Sequence, residues 1–366
     1  MTKYYTRACN FYFGEFSKKL VKKKQSLPLC GNKEISFNKI EIFSKNKKKV
    51  SSKIIDIKKI SFLPKLVKKK VILDIKKIIS KRKFLNNKNY FLMGILNITP
   101  DSFSDGGKFN NDKKALTRII EMINSGADII DVGGESTRPG SKIISSKVEW
   151  ERIKNIIKKF KKKFPKTMLS VDTRKSLVMK NAINYKTDII NDVSCFKFDT
   201  ESFKTIKNKN LWKIIHHMQG TPQTMQIKPK YNHVLLDIYD FFEKEINKIK
   251  KNKHPNKIIL DPGIGFGKNL KHNLMILNKI SLFHSLGFPV LIGTSRKRFI
   301  NQISKNFDTK ERIGGTLSSV IFSLSQGVQI FRIHDVKEIK QGILVYKTLL
   351  KKWRKNILAQ MVLEEQ

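Results

Sequence analysis

From residue 90 onward the chain alternates short β-branched apolar runs with longer amphipathic ones, eight times in about 265 residues. Few patterns restrict a fold more. A short apolar run bounded by turn residues reads as a buried strand, and apolar residues three and four apart read as one face of a helix. Strict alternation of the two builds a parallel sheet covered by helices. The expected strands are 91–97, 128–133, 167–172, 188–192, 212–218, 257–261, 289–294 and 329–334. Helical spacing is expected over Asp112–Ser125, Val148–Phe164, Arg174–Tyr185, Val234–Lys253, Leu270–Leu286, Thr309–Ser325 and Val336–Trp353. This specifies an α/β protein closed as a (β/α)8 barrel, with a doubly wound open sheet as the alternative.

The polar residues at or just past the strand ends strengthen the barrel reading. They are Asn97; Glu135 with Thr137 and Arg138; Asp172; Asn191; Met218 with Gln219; Asp261; Ser295 with Lys297; and Arg332 with His334. A barrel gathers all such ends on one face around one axis, where sites of this fold lie. Random scatter would not fill eight successive ends.

Single motifs are weaker. The stretch from Met93 to Gly107 is an apolar strand that breaks at Asn97 into hydroxyls, carboxylates and paired glycines, yet Pro-Asp and Asp-Gly-Gly are also ordinary turns. Asp261-Pro-Gly-Ile-Gly-Phe-Gly-Lys268 has G-x-G-x-G spacing, which fails the phosphate-loop pattern and alone would read as a tight strand-to-helix turn. Asp172 precedes Thr173 and Arg174 and is placed to cap the next helix, to bind a ligand, or both. Asn191 and Asp192 alternate faces, as do His216 and His217, so one of each pair points along the axis. Ser295-Arg-Lys-Arg298 opens a helix and favours an anion or a ring carbonyl, with a plain basic turn as the alternative. No His-x-x-x-His or tight histidine and carboxylate cluster occurs, which argues against a zinc hydrolase.

Composition adds a warning and little else. The net charge of +45 would ordinarily suggest nucleic acid. The excess is mostly lysine accompanied by Asn, Ile and Phe, the residue set of A/T-rich codons, and no nucleic-acid-binding signature accompanies it, so nucleic acid is not expected as a partner. Three cysteines, Cys9, Cys30 and Cys195, with no Cys-x-x-Cys pair, fit a reducing compartment. No apolar run approaches a membrane span and the first residues lack a signal-peptide core, so a cytoplasmic protein is expected. Residues 1–88 hold 26 Lys and Arg against five acidic residues and read as a basic N-terminal extension. Within it Ile35, Phe37, Ile40, Ile42 and Phe43 suggest a short strand pair, and Val67–Ile79 has helical spacing. The expected organisation is therefore extension 1–88, barrel 89–356 and tail 357–366. Removing residues 1–86 is expected to leave catalysis largely intact.

With these residues in view, the chain resembles the dihydropteroate synthases over about residues 91–355. The likeness is carried by the Met93–Gly107 block, Gly-Gly-Glu-Ser-Thr-Arg-Pro-Gly from 133, Ser-Val-Asp-Thr from 170, Ile-Asn-Asp-Val-Ser from 190, His-Met-Gln-Gly-Thr-Pro from 217, the Asp261–Lys268 loop, Thr-Ser-Arg-Lys from 294 and Arg-Ile-His-Asp from 332. The resemblance implies a TIM barrel that joins 6-hydroxymethyl-7,8-dihydropterin diphosphate to 4-aminobenzoate with Mg²⁺, releasing diphosphate and 7,8-dihydropteroate. It implies pterin contacts at Asp172, Asn191, Met218, Asp261 and Lys297, with Thr137, Arg332, His334 and Arg138 toward the phosphates. It further implies aminobenzoate contacts at Arg138, Pro139, Phe266 and Ser295, and Mg²⁺ on Asn97. Lys297, Arg332, His334 and Asp172 are the expected catalytic residues. Loops 98–110 and 134–146 are expected to close over the site, and the chain to pair as a homodimer. Cys195 replaces the glycine the family often has. The alternative is another pterin-binding barrel, such as a folate-dependent methyltransferase domain.

Overall fold

The computed structural model describes residues 2–84, 88–99, 108–136, 140–305 and 307–364, without the side chains of 108–111 and 351–364. The chain opens with β1 (Lys3–Phe13), α1 (Gly14–Lys22), β2 (Leu27–Leu29), β3 (Asn32–Asn46), β4 (Lys49–Asp56), a 3-10 turn at Ile57–Phe62 and α2 (Lys65–Ile79). The strand pair expected around residues 35–43 is instead one 15-residue strand, β3, flanked by antiparallel β1 on one edge and by β2 and β4 on the other. The expected helix is α2. Its Val67, Val71, Ile75 and Ile78 face Ala8, Phe37, Ile40 and Ile42 of the sheet.

The barrel follows: β5 (Phe91–Asn97), α3 (Lys108–Asn124), β6 (Ile129–Gly133), α4 (Ser146–Lys163), β7 (Met168–Asp172), α5 (Ser176–Asn184), β8 (Ile189–Asp192), α6 (Ser202–Ile206) and β9 (Trp212–His216). It is completed by α7 (Val234–Ile249), β10 (Ile258–Asp261), α8 (Leu270–Asn278), a 3-10 turn at Ile280–Leu286, β11 (Leu291–Ile292), α9 (Arg298–Ser304), α10 (Ile313–Ser325), β12 (Ile330–Ile333) and α11 (Val336–Glu364). All eight strands are parallel, in the order β10-β9-β8-β7-β6-β5-β12-β11. A parallel bridge between Leu260 and Val290, with Leu260 N–H donating to Pro289 O at 2.9 Å, joins the two ends. That closure excludes the open sheet. The helix expected over 270–286 breaks at Lys279 and tightens into the 3-10 turn, while α11 runs on through 357–364, the stretch expected as a tail. Among the described residues no helix is long and apolar enough to cross a membrane.

Strand parity sorts the core from the site. Phe91, Met93, Ile129, Ile189, Ile214, Ile259, Leu291 and Ile330 fill the barrel interior, whereas Leu92, Ile130, Leu169, Ile190, Ile215, Leu260 and Phe331 belong to the larger core beneath the helices. Two residues further along the inward face come Asp131, Asn191, His216, Asp261, Gly293 and Arg332, because side chains repeat every second position. Apolar layers thus lie below and polar groups at the mouth.

The extension supplies the floor. Phe84 joins the interior cluster, its ring centroid 4.9 Å from Phe91 and 4.7 Å from Trp212, both edge-on. The sheet's other face is clamped to the barrel. Tyr5 packs edge-on against Tyr239 at 5.1 Å, Lys3 and Lys45 pair with Asp240, and Glu41 receives both Arg7 and Lys279.

Candidate active site

At the barrel mouth one arginine is held between two carboxylates. Arg332 Nε donates to Asp131 Oδ2 at 2.6 Å and its Nη2 to Asp172 Oδ2 at 2.8 Å, while Asn191 Nδ2 donates to Asp131 Oδ2 at 3.1 Å. Asp131 Oδ1 and Asp172 Oδ1 are buried and have no hydrogen-bond partner among the described residues. Burial pushes the Asp172 carboxyl up, Arg332 pulls it down, and Asp131, Glu149 and Asp192 add repulsion, leaving it above the usual carboxylate range. Across the mouth, Asp261 Oδ1 accepts the Gly263 N–H at 2.8 Å and its Oδ2 lies 3.9 Å from His216 Nε2. Burial raises Asp261 to about 6 against the pull of that N–H and of Lys297, Arg332 and Lys268. Burial together with Lys268 and Lys297 holds His216 well below its ordinary value, so a neutral ring faces Asp261.

The loop after β10 is shaped by close backbone packing. A Cβ on Gly263 would stand 2.0 Å from His217 O, and one on Gly267 2.6 Å from Gln219 O, with φ at +67° and +60°. Only glycine fits there. Asn273 Oδ1 accepts Gly265 N–H, and Gln226 and Tyr231 donate to Gly265 O and Gly267 O, each at 2.8 Å. The braced loop holds Phe266 against Val193, Met218 and Met225. Lys297 Nζ lies 4.1 Å from the Phe266 ring centroid, and His216 meets the same ring edge-on at 4.6 Å. Lys268 turns away from the mouth: its Nζ bonds His217 Nδ1, His217 O and Phe266 O, and burial lowers it to about 7.

The structure brings Asp172, Asn191, Asp261, Lys297, Arg332, Phe266, Met218 and Asn97 to this mouth. Asn97 Oδ1 stands close to Gly133, which also abuts Asp172. Ser295 Oγ bonds His334 Nδ1 at 3.0 Å and accepts the His334 backbone N–H at 3.1 Å, so these two positions lock each other. Thr137, Arg138 and Pro139, and residues 100–107 of the first expected lid, lie outside the described residues.

The structure resolves three readings of the motifs. Asp172 does not cap α5, whose N-cap is Lys175, because its carboxylate is engaged by Arg332, and Asp199 instead receives the Ser176 N–H at 2.7 Å. Arg296 does not wait for an anion, since its guanidinium pairs through two nitrogens with Asp335. Asp192 closes the turn after β8 on Ser194 and Phe196, leaving Asn191 as the inward member of that pair. Asp131 was not singled out by its sequence; its signal was parity, two positions after Ile129 on the inward face. Glu135, expected at the site, instead anchors its loop to Arg174 and Lys175, each at 2.7 Å.

Residues 93–334 match the sequence model of the pterin binding enzyme family. The chain is 39% identical over 260 residues to the dihydropteroate synthase of Escherichia coli (strain K12), covering 71% of this chain and 91% of that protein. It is also similar to the crystal structure of Yersinia pestis dihydropteroate synthase with a sulfonamide drug complex, at 37% identity and a TM-score of 0.67, covering 71% of this chain and 94% of that one. Xanthomonas albilineans dihydropteroate synthase with 4-aminobenzoic acid is similar at 30% identity and a TM-score of 0.66, over 71% and 93% of the two chains.

Proposed function

Because the chain belongs to the dihydropteroate synthases within the pterin-binding enzyme family, we propose the following division of work among its residues. The chain is a transferase of folate biosynthesis that condenses 6-hydroxymethyl-7,8-dihydropterin diphosphate with 4-aminobenzoate, giving 7,8-dihydropteroate and diphosphate. The observation that carries the site assignment is the set of buried carboxylate oxygens at the mouth, two of them without partners among the described residues. A buried acceptor left unpaired costs stability unless a ligand satisfies it.

The pterin's 2-amino-4-oxo edge offers paired N–H donors, which the Asp261 carboxylate accepts side by side. Asn191 and Asp172 complete that pocket, Met218 forms its apolar wall, and Lys297 meets the ring carbonyl. Arg332, oriented by Asp131 and Asp172, and His334, oriented by Ser295, take the diphosphate, and the family resemblance assigns Thr137 and Arg138 to the same task. Fixed donors there stabilise the charge that develops as the leaving group departs. The bond to diphosphate breaks before the new C–N bond is complete, so the pterin methylene passes through a cation. An aromatic amine is neutral at working pH, and the nucleophile needs placement more than deprotonation. Phe266, Ser295, Arg138 and Pro139 supply that placement, and loops 98–110 and 134–146 close to keep water from the cation.

Mg²⁺ fits this site. Among the described residues no group of three His, Cys, Asp or Glu forms a metal cage, and the nearby donor is the Asn97 carboxamide oxygen. A hard cation that keeps its waters and takes phosphate oxygens needs no more from the protein. Held by Asn97, it would neutralise diphosphate charge. The chain acts as a homodimer on this reading, which sedimentation of the purified protein would check.

The deciding experiment supplies both substrates and Mg²⁺ and measures dihydropteroate and diphosphate together. Equal release of both, lost without Mg²⁺ or aminobenzoate, is expected. Pterin binding without product would overturn the proposal.

A further inference from the structure

At the seam between extension and barrel lies a buried thiol with a set of charged neighbours that the folate chemistry does not use. Cys30 follows β2, is 5% exposed, and gives its backbone N–H to Ile78 O at 2.8 Å. Its Sγ accepts the Gln329 side-chain amide at 3.1 Å. The His284 ring stands within electrostatic reach of the thiol. His284 Nε2 is engaged by Gln326 O at 2.9 Å, and among the described residues its Nδ1 has no hydrogen-bond partner.

Beside them Arg82 is 1% exposed. Its guanidinium donates to Lys77 O, Ser80 O, Ser80 Oγ and His284 O, and its Nε has no hydrogen-bond partner among the described residues. None of those acceptors is a carboxylate. A buried guanidinium held by neutral oxygens has no balancing charge among the groups it bonds, and the nearby Cys30 thiol is able to supply one. Burial alone would raise the Cys30 thiol, but Arg82 and His284 outweigh it and bring the group down to about 7. Burial raises Cys9 and Cys195 instead.

Cys30 and Gln329 open on a cavity of about 250 Å³ between the two parts of the chain. Four lysines, Lys33, Lys81, Lys88 and Lys347, line it against two carboxylates, Glu15 and Glu34. We propose that Cys30 is a thiolate nucleophile that forms a mixed disulfide with a small anionic disulfide entering this seam cavity. The Cys30 sulfur attacks one sulfur of the incoming disulfide, whose S–S bond breaks. The departing half leaves as a thiolate with the electron pair, and a new S–S bond joins the other half to Cys30. The incoming disulfide is the oxidant, and nothing else is consumed.

The test treats the native full-length protein with oxidised glutathione from pH 5.5 to 9, quenches with acid and reads the adducts by peptide mass spectrometry. Cys30 is expected to react at least tenfold faster than Cys9 and Cys195, with a rate that levels off around a midpoint near 7. Cystamine, a cationic disulfide, is expected to react more slowly at low salt, with the gap closing as salt rises. Arg82→Met should move the midpoint upward, and His284→Gln serves where that variant does not fold. Reaction at Cys30 no faster than at Cys195, or a midpoint at the ordinary thiol value, would overturn the proposal; faster reaction with cystamine would overturn the anionic selectivity.

Discussion

Replacing Phe84 with alanine tests whether the extension is structural. The ring is 5% exposed, belongs to the interior cluster, and meets Phe91 and Trp212 edge-on at 4.9 and 4.7 Å. A buried Phe→Ala change costs about 3–5 kcal/mol, the range covering how far the site collapses. The edge-on pairs, at about 0.5–1.5 kcal/mol each beyond area, place this site toward the upper end. About 4 kcal/mol is therefore expected, a large share of the roughly 5–15 kcal/mol that holds a domain folded. In urea, with m of about 3 kcal/mol/M, the midpoint should fall by about 1.3 M at unchanged m. Turnover per folded molecule should be preserved, because Phe84 lies at the closed end and Asp261 at the open one. A midpoint shift below about 0.3 M, or lost turnover in protein still folded, would show that Phe84 is not a floor. The same contacts revise the expectation for removal of residues 1–86. That deletion uncovers Phe91 and Trp212 and strips Tyr5, Arg7 and Arg82 from the barrel, so an aggregating chain is the expected product.

Lys297→Ala should lower kcat/KM by about 10²-fold or more with little change in melting temperature, since the ammonium stands over Phe266 at the mouth; near-normal turnover would misplace the pocket. Asp261 reaches about 6 in the folded chain against roughly 4 unfolded, so its contribution to stability is complete below pH about 4 and is lost as pH rises through about 6. Asp261→Asn should accordingly be more stable than the parent at pH 8 in urea titration while losing pterin binding, and equal stabilities at pH 8 would refute the burial argument. At Cys195, φ is +54°, a left-handed geometry that costs a non-glycine residue about 1 kcal/mol. Cys195→Gly should therefore be within about 1 kcal/mol of the parent, and Cys195→Ala less stable than the glycine variant by about the same amount; calorimetry showing the reverse order would remove the strain argument.

What the sequence made legible followed from strand parity. Asp172, Asn191, Asp261 and Arg332 stand where an apolar run stops, and a stop is visible without knowing what faces it. Asp131 sits inside such a run, and its significance appears only when Arg332, 201 positions away, is set against it. Asp172 could equally have been a cap, and only the arginine's position decided between roles. Arg296 read as one of three cations because its partner Asp335 lies on a neighbouring strand's loop. Phe84 gave no signal at all: a single aromatic among lysines has no period, and its function exists only through Phe91 and Trp212.

A barrel stoppered by its own leading segment faces a problem of timing during synthesis. Tyr5 waits for Asp240, Arg7 for Ser281 and Cys30 for Gln329, contacts 235, 274 and 299 positions apart. At roughly 5–20 residues per second, the leading sheet leaves the ribosome about ten seconds to a minute before its seat exists. Through that interval the faces of β1 and β3 destined for the barrel are bare. Whatever its codon origin, the net positive charge of this segment opposes association of such bare chains by mutual repulsion.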